Sequence, residues 1–216
     1  MLAFAIKSLE MDFKTLLEAS ERPPVAFENR KGLEDWMASN SLSDERIGKR
    51  RLHNICLVVG QVSTPLGPRL YSQVWAKATY RTYRYAYLAH VLQTFGSNLD
   101  LSAHDIDHAV SKAHVAEFWP EAWVNLLLVE RSLNRAIGPM LERNLRAPVG
   151  TSISFGLEPA LKLFYQRMMR LKRSQAESYL AQTSQHFITS RDTLRDRVYA
   201  DNVISILAEI ADEIEE

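Results

Sequence analysis

The chain holds a single cysteine, Cys56, among 216 residues. An internal disulfide framework is therefore excluded, and a reducing compartment is expected. No apolar run approaches the roughly 20 residues that a helix needs to cross a bilayer. The first residues, MLAFAIKSLEMDF, are interrupted by Lys7, Glu10 and Asp12 and make a poor signal peptide. These absences point to a cytoplasmic protein with no membrane partner. Walker loops, GxGxxG turns and GxSxG elbows are missing too, so no nucleotide cradle or nucleophile elbow is signalled. Net charge is zero, which taken alone argues against a nucleic-acid binder.

The distribution of charge says more than its sum. Residues 41–95 carry eight bases against Asp44 and Glu45, and residues 131–173 carry nine against Glu142 and Glu158. Between them, residues 96–130 hold six acids and one base. Two basic segments thus flank an acidic one. A polyanion requires such a surface, because phosphate contacts supply most non-specific affinity.

Hydrophobic spacing over 2–19 predicts an amphipathic helix that stops at Pro23-Pro24. A short helix is expected over 31–39. Another is expected from 44 toward 59, capped by Ser41 or Ser43. Thr64–Pro68 reads as a loop, and 69–95 as a helix closed by Gly96. That segment interleaves Tyr71, Trp75, Tyr80, Tyr83, Tyr85 and Tyr87 with Lys77, Arg81 and Arg84. Such a mixture suits nucleic-acid stacking, although tyrosines on a long helix more often serve the core. Strands are expected only at 105–110 and 123–130. Ser132 would cap a helix toward 145, residues 147–156 form a loop, and helices occupy 158–184 and 189 to the acidic end. The expectation is a mainly α, single-domain chain. It comprises a helical region over 1–98, a small ββα motif over 99–146 and a helical region over 147–216, all in one compact unit.

The most specific pattern is the stretch DIDHAVSKAHVAEFWPEAWVNLLLVERSLNRAIG, from Asp105 to Gly138. His108 precedes Asn125 by 17 residues and Asn134 by 26. IDHAVSK, NLLLVERS and NRAIG, over residues about 104–145, resemble the three elements of the HNH, or ββα-metal, endonuclease family. Ser111 stands where that family often has Pro, and no CxxC pair is present.

The resemblance implies a metal-dependent hydrolase of phosphodiester bonds, acting on DNA ahead of RNA. His108 would be the general base, Asp107 and Asn134 the metal ligands, and Asn125 a brace for the catalytic loop. Oxygen ligands of this kind suit Mg²⁺ or Mn²⁺, with Zn²⁺ or Ni²⁺ behind them. Arg131 and Arg135, beside the metal ligand, would grip phosphate, with Lys112, Arg81 and Arg84 extending the nucleic-acid surface. Asp107, His108 and Asn134 would then converge at one solvent-accessible spot. The rivals are an inactive HNH-like module that binds nucleic acid or protein, and an unrelated helical interaction protein. A homo-oligomer or a protein partner is compatible with all three.

Overall fold

A computed structural model describes residues 23–48, 53–64, 67–96, 100–135, 147–160 and 162–163. The helices expected at 2–19, at 189 to the end, and over most of 136–145 and 158–184 lie outside these residues.

The main correction is to fold class. The chain is not mainly α: its centre is a curled, antiparallel seven-stranded sheet, a half-barrel. The strands are β1 (Pro24–Phe27), β2 (Leu42–Glu45), β3 (Ile55–Thr64), β4 (Gly67–Lys77), β5 (His104–His108), β6 (Trp123–Glu130) and β7 (Ser152–Ser154). The helices are α1 (Arg30–Ser39), α2 (Tyr83–Phe95), α3 (Lys112–Phe118) and the short α4 (Leu157–Ala160). Sheet order is β2-β3-β4-β6-β1-β7, with β5 paired to β6. The region 1–98, expected to be helical, contributes four of the seven strands. Through β1–β7 and β4–β6 pairing it shares one sheet with the two later regions.

The segment 69–77 shows why strand wins over helix. In β4 the side chains alternate: Tyr71 and Trp75 join one core cluster, while Val74 and Ala76 join another. Period 2 is the signature of a strand buried on both faces. Its partner β3 alternates likewise, with Cys56 and Val58 on one side and Ile55 on the other. The register runs unbroken from Ile55↔Ala76 to Thr64↔Gly67, so Thr64, Gly67 and Pro68, expected in a loop, are paired strand residues. β2 adds to β3 at Leu42↔Gly60, in place of the helix expected from 44.

Helices cover both faces. Helix α1 starts at Asn29, whose side chain accepts from the Gly32 amide at 3.0 Å. It packs Leu33 and Met37 against Phe27, Tyr71, Trp75 and Trp123. Helix α2 packs Tyr83, Ala86, Tyr87 and Val91 against Val74, Ala76, Ile106, Leu126 and Leu128, and ends at Gly96 (φ 88°) as the sequence suggests. Val115 of α3 and Trp119, its C-cap, close a third cluster over Ala26, Ala78, Ala122 and Val124.

The HNH resemblance is overturned at the level of fold. β5 and β6 do pair antiparallel, from His104↔Glu130 to His108↔Leu126, and residues 131–135 are helical. They do not form a small ββα-metal unit, however. β6 is a central strand of the half-barrel, pairing with β4 and β1 as well as β5. All of Trp123–Val129 is buried, as a central strand requires and a surface nuclease motif does not.

Candidate functional site

Alternation along β5 decides where the expected site residues go. Its burial pattern places His104, Ile106 and His108 inward and leaves Asp105 and Asp107 half-buried. Sequence neighbours on a strand point to opposite faces. Asp107 and His108 therefore diverge, and the expected convergence of Asp107, His108 and Asn134 does not occur.

His108 is fully buried, with its ring edge-to-face on Tyr83 at 4.5 Å. Among the described residues neither ring nitrogen has a hydrogen-bond partner. Burial pushes its pKa down to about 3; nearby Asp107 opposes the shift, and Lys112, Lys162 and Arg84 add to it. The imidazole is neutral and sealed from water.

Asp107 instead meets a lysine that no sequence motif marks. Lys162, only 3% exposed, places Nζ 2.7 Å from Asp107 Oδ2 and 2.8 Å from Glu158 Oε1, and donates to the His108 carbonyl at 2.8 Å. Its three N–H bonds thus have three oxygen partners. Burial works against the ammonium charge, but Asp107 and Glu158 outweigh it and hold the lysine pKa above its ordinary value. Glu158 Oε2 also accepts from the Ser111 amide at 3.2 Å, which fixes the start of α3. In sequence, Glu158 and Lys162 are an ordinary i,i+4 helix pair; nothing in that spacing signals burial.

Asn134 turns to a different carboxylate. Its amide donates to Asp105 Oδ2 at 3.5 Å, and Arg131 pairs with Asp105 Oδ1 at 3.2 Å. Arg135 is exposed. Asn125 lies fully buried in mid-strand and donates to Gln73 Oε1 at 3.1 Å, while its own Oδ1 has no partner among the described residues. Of the two residues expected to hold a cation, Asp107 has Oδ2 engaged by Lys162, and Asn134 turns its amide nitrogen to Asp105. Among the described residues, no group of three or more His, Cys, Asp or Glu is placed to hold a metal.

The remaining basic residues do come together. Arg84 lies 5.5 Å from the centre of the Tyr83 ring and Lys112 lies 5.1 Å from it. These residues are 28 apart in sequence, on the first turns of α2 and α3. Burial raises the Tyr83 phenol above its ordinary pKa, against the pull of Arg84, to which it is hydrogen-bonded. Arg81 is exposed in the turn just before α2, and Tyr85 is 77% exposed on its first turn. Among the described residues no carboxylate forms an ion pair with Arg81, Arg84 or Lys112. Thr82 gives α2 no side-chain cap, so the positive end of the helix adds to the same corner. Arg131 belongs elsewhere: its amide bonds to Ala103 at the other end of β5, about 14 Å along the strand.

The fold and the corner define a curled antiparallel half-barrel, covered by helices on both faces, with a cationic, aromatic edge. No family model, curated protein or solved structure matches the chain. None of the described helices is long and apolar enough to cross a membrane.

Proposed function

We propose that the chain binds nucleic acid through its phosphate backbone, with the Tyr83 corner as the contact surface. The observation that carries this reading is the convergence of Arg84 and Lys112 on one aromatic ring with no carboxylate, among the described residues, to neutralise them. Unpaired cations keep their charge available for phosphate. The exposed ring of Tyr85 beside them offers a stacking face for a base.

Phosphodiester cleavage with Mg²⁺ or Mn²⁺ stays outside the proposal. It needs a base in contact with water and carboxylates free to take a cation. His108 is sealed against Tyr83, and Asp107 is held by Lys162.

The test is an anisotropy titration of the full chain with labelled single-stranded and duplex oligonucleotides. Arg84→Ala with Lys112→Ala should weaken binding about tenfold or more near physiological salt, whatever the oligonucleotide sequence. Arg131→Ala with Arg135→Ala, at the other end of β5, should have less effect. Equal affinity for the wild type and the Arg84/Lys112 double variant overturns the proposal.

A further inference from the structure

A second site lies away from the Tyr83 corner, between α1, β2 and β3. It is a cavity of about 320 Å³, lined by Arg30, Glu34, Asp44, Glu45, Arg46, His53, Ile55, Cys56 and Trp123. That volume is within the range of pockets that take small ligands.

Its distinctive part is the way Arg30 is held. Nε donates to Glu34 Oε1 at 2.9 Å, Nη1 to Cys56 Sγ at 2.9 Å and Nη2 to Asp44 Oδ2 at 2.6 Å. All three nitrogens are engaged, so the plane of the guanidinium is fixed. The group also stacks on Trp123, 4.6 Å from the ring centre. Both Arg30 and Trp123 line the cavity.

The lining narrows the ligand. Three carboxylates (Glu34, Asp44, Glu45) stand against two arginines and His53, so no excess of positive charge draws an anion. The apolar lining is limited to Ile55, Cys56 and Trp123, too little for an aliphatic chain. Burial keeps the Cys56 thiol protonated, with its pKa pushed up to about 11 although Arg30 pulls it down, so the sulfur is an inert wall. At the rim, Glu45, Arg46 and His53 are exposed, and none of the three forms an ion pair among the described residues. They supply an acceptor and donors to the edge of a ring.

We infer that this cavity is a stacking pocket for a nucleobase, with the Arg30 face as platform and Glu45, Arg46 and His53 reading the ring's edge. Guanidinium planes are a recurrent surface for unstacked bases. The inference uses no residue of the Tyr83 corner and needs no phosphate, so the two proposals fail separately.

The experiment is calorimetric titration of the full chain with adenosine, guanosine, cytidine and uridine, and with ribose 5-phosphate as the probe that lacks a base. Saturable binding of at least one nucleoside, with none of ribose 5-phosphate, is expected. Glu45→Gln and Arg46→Ala, both at exposed positions, should each weaken that binding about tenfold. Arg30→Lys keeps the charge and loses the plane, and should abolish binding in protein whose circular dichroism matches the wild type. If Arg30→Lys does not fold, the two rim variants decide alone. No binding of any nucleoside, binding of ribose 5-phosphate in their place, or nucleoside affinity unchanged in both rim variants overturns the inference.

Discussion

Replacing Lys162 by methionine keeps most of the side-chain length and removes the charge. In the folded chain it leaves Asp107 Oδ2, Glu158 Oε1 and the His108 carbonyl without their shared donor, in a place where the lysine is 3% exposed. Breaking a buried pair by removing one partner costs about 3–5 kcal/mol, because the remaining charge is stranded. That is a large share of the roughly 5–15 kcal/mol by which domains are stable. At about 2–4 °C per kcal/mol for a chain of this size, the melting temperature should fall by about 6–20 °C.

Urea unfolding gives the free energy directly. Adding Asp107→Asn and Glu158→Gln to Lys162→Met should recover most of the loss, since the triple variant strands no charge. The pH dependence has a definite sign. The lysine pKa is raised in the folded state, so its contribution is complete below the ordinary lysine value of about 10.4. It is lost as pH climbs through the folded value. The alkaline limb of wild-type stability should therefore flatten in Lys162→Met. A cost under about 1 kcal/mol, within the range of surface pairs, would refute the buried latch.

Three further outcomes follow from the same structure. His108 and His90 have pKa values lowered by burial to about 3 and about 4, so their neutral forms stabilise the fold above the ordinary histidine value of about 6.5. Stability should fall as pH drops from there toward those values, and His108→Leu should reduce that acid sensitivity; an unchanged acid limb in urea melts would count against the sealed imidazole. Because both of its ring nitrogens lack a partner among the described residues, His108→Leu should also cost nothing near pH 7, or gain about 1 kcal/mol. Gly60→Ala would set a Cβ 2.6 Å from Leu42 Cδ2 and 3.1 Å from the Ser41 carbonyl, so it should destabilise by about 1–3 kcal/mol; a neutral result would contradict the β2–β3 register.

The legible parts of the fold are those with local punctuation. Helix α1 falls on the short helix expected over 31–39, α2 stops at Gly96, and β5 and β6 fall on the two runs expected as strands. The hairpin of β3 and β4 escapes a sequence reading because, over Ile55–Val59 and Tyr71–Ala76, both faces are buried or half-buried. A run such as Ile55–Val59 then shows no alternation of apolar and polar residues, and continuous apolar runs fit a helix equally well. Tyr71 and Trp75, four apart, mimic a helical face although they belong to alternate positions of a strand.

Asp107, His108 and Asn134 do not converge, for a simpler reason. Asp107 and His108 look like a pair because they adjoin in sequence, whereas a strand sends neighbours to opposite sides. Asn125, expected as a brace, sits mid-strand beside Gln73. Lys162 carries no mark of its burial, because that depends on β5 meeting the segment after β7. Arg84 and Lys112 stand out individually in the sequence, but their meeting at Tyr83 depends on how α2 and α3 pack.

The most direct test of the nucleic-acid reading is the salt dependence of binding. Each phosphate-binding cation removed should lower the slope of log K against log salt by about one. We predict that the Arg84→Ala, Lys112→Ala variant binds with a slope shallower by about two than the wild type, across duplex and single-stranded oligonucleotides alike. The same slope in both proteins, or no binding by the wild type at low salt, would contradict the account.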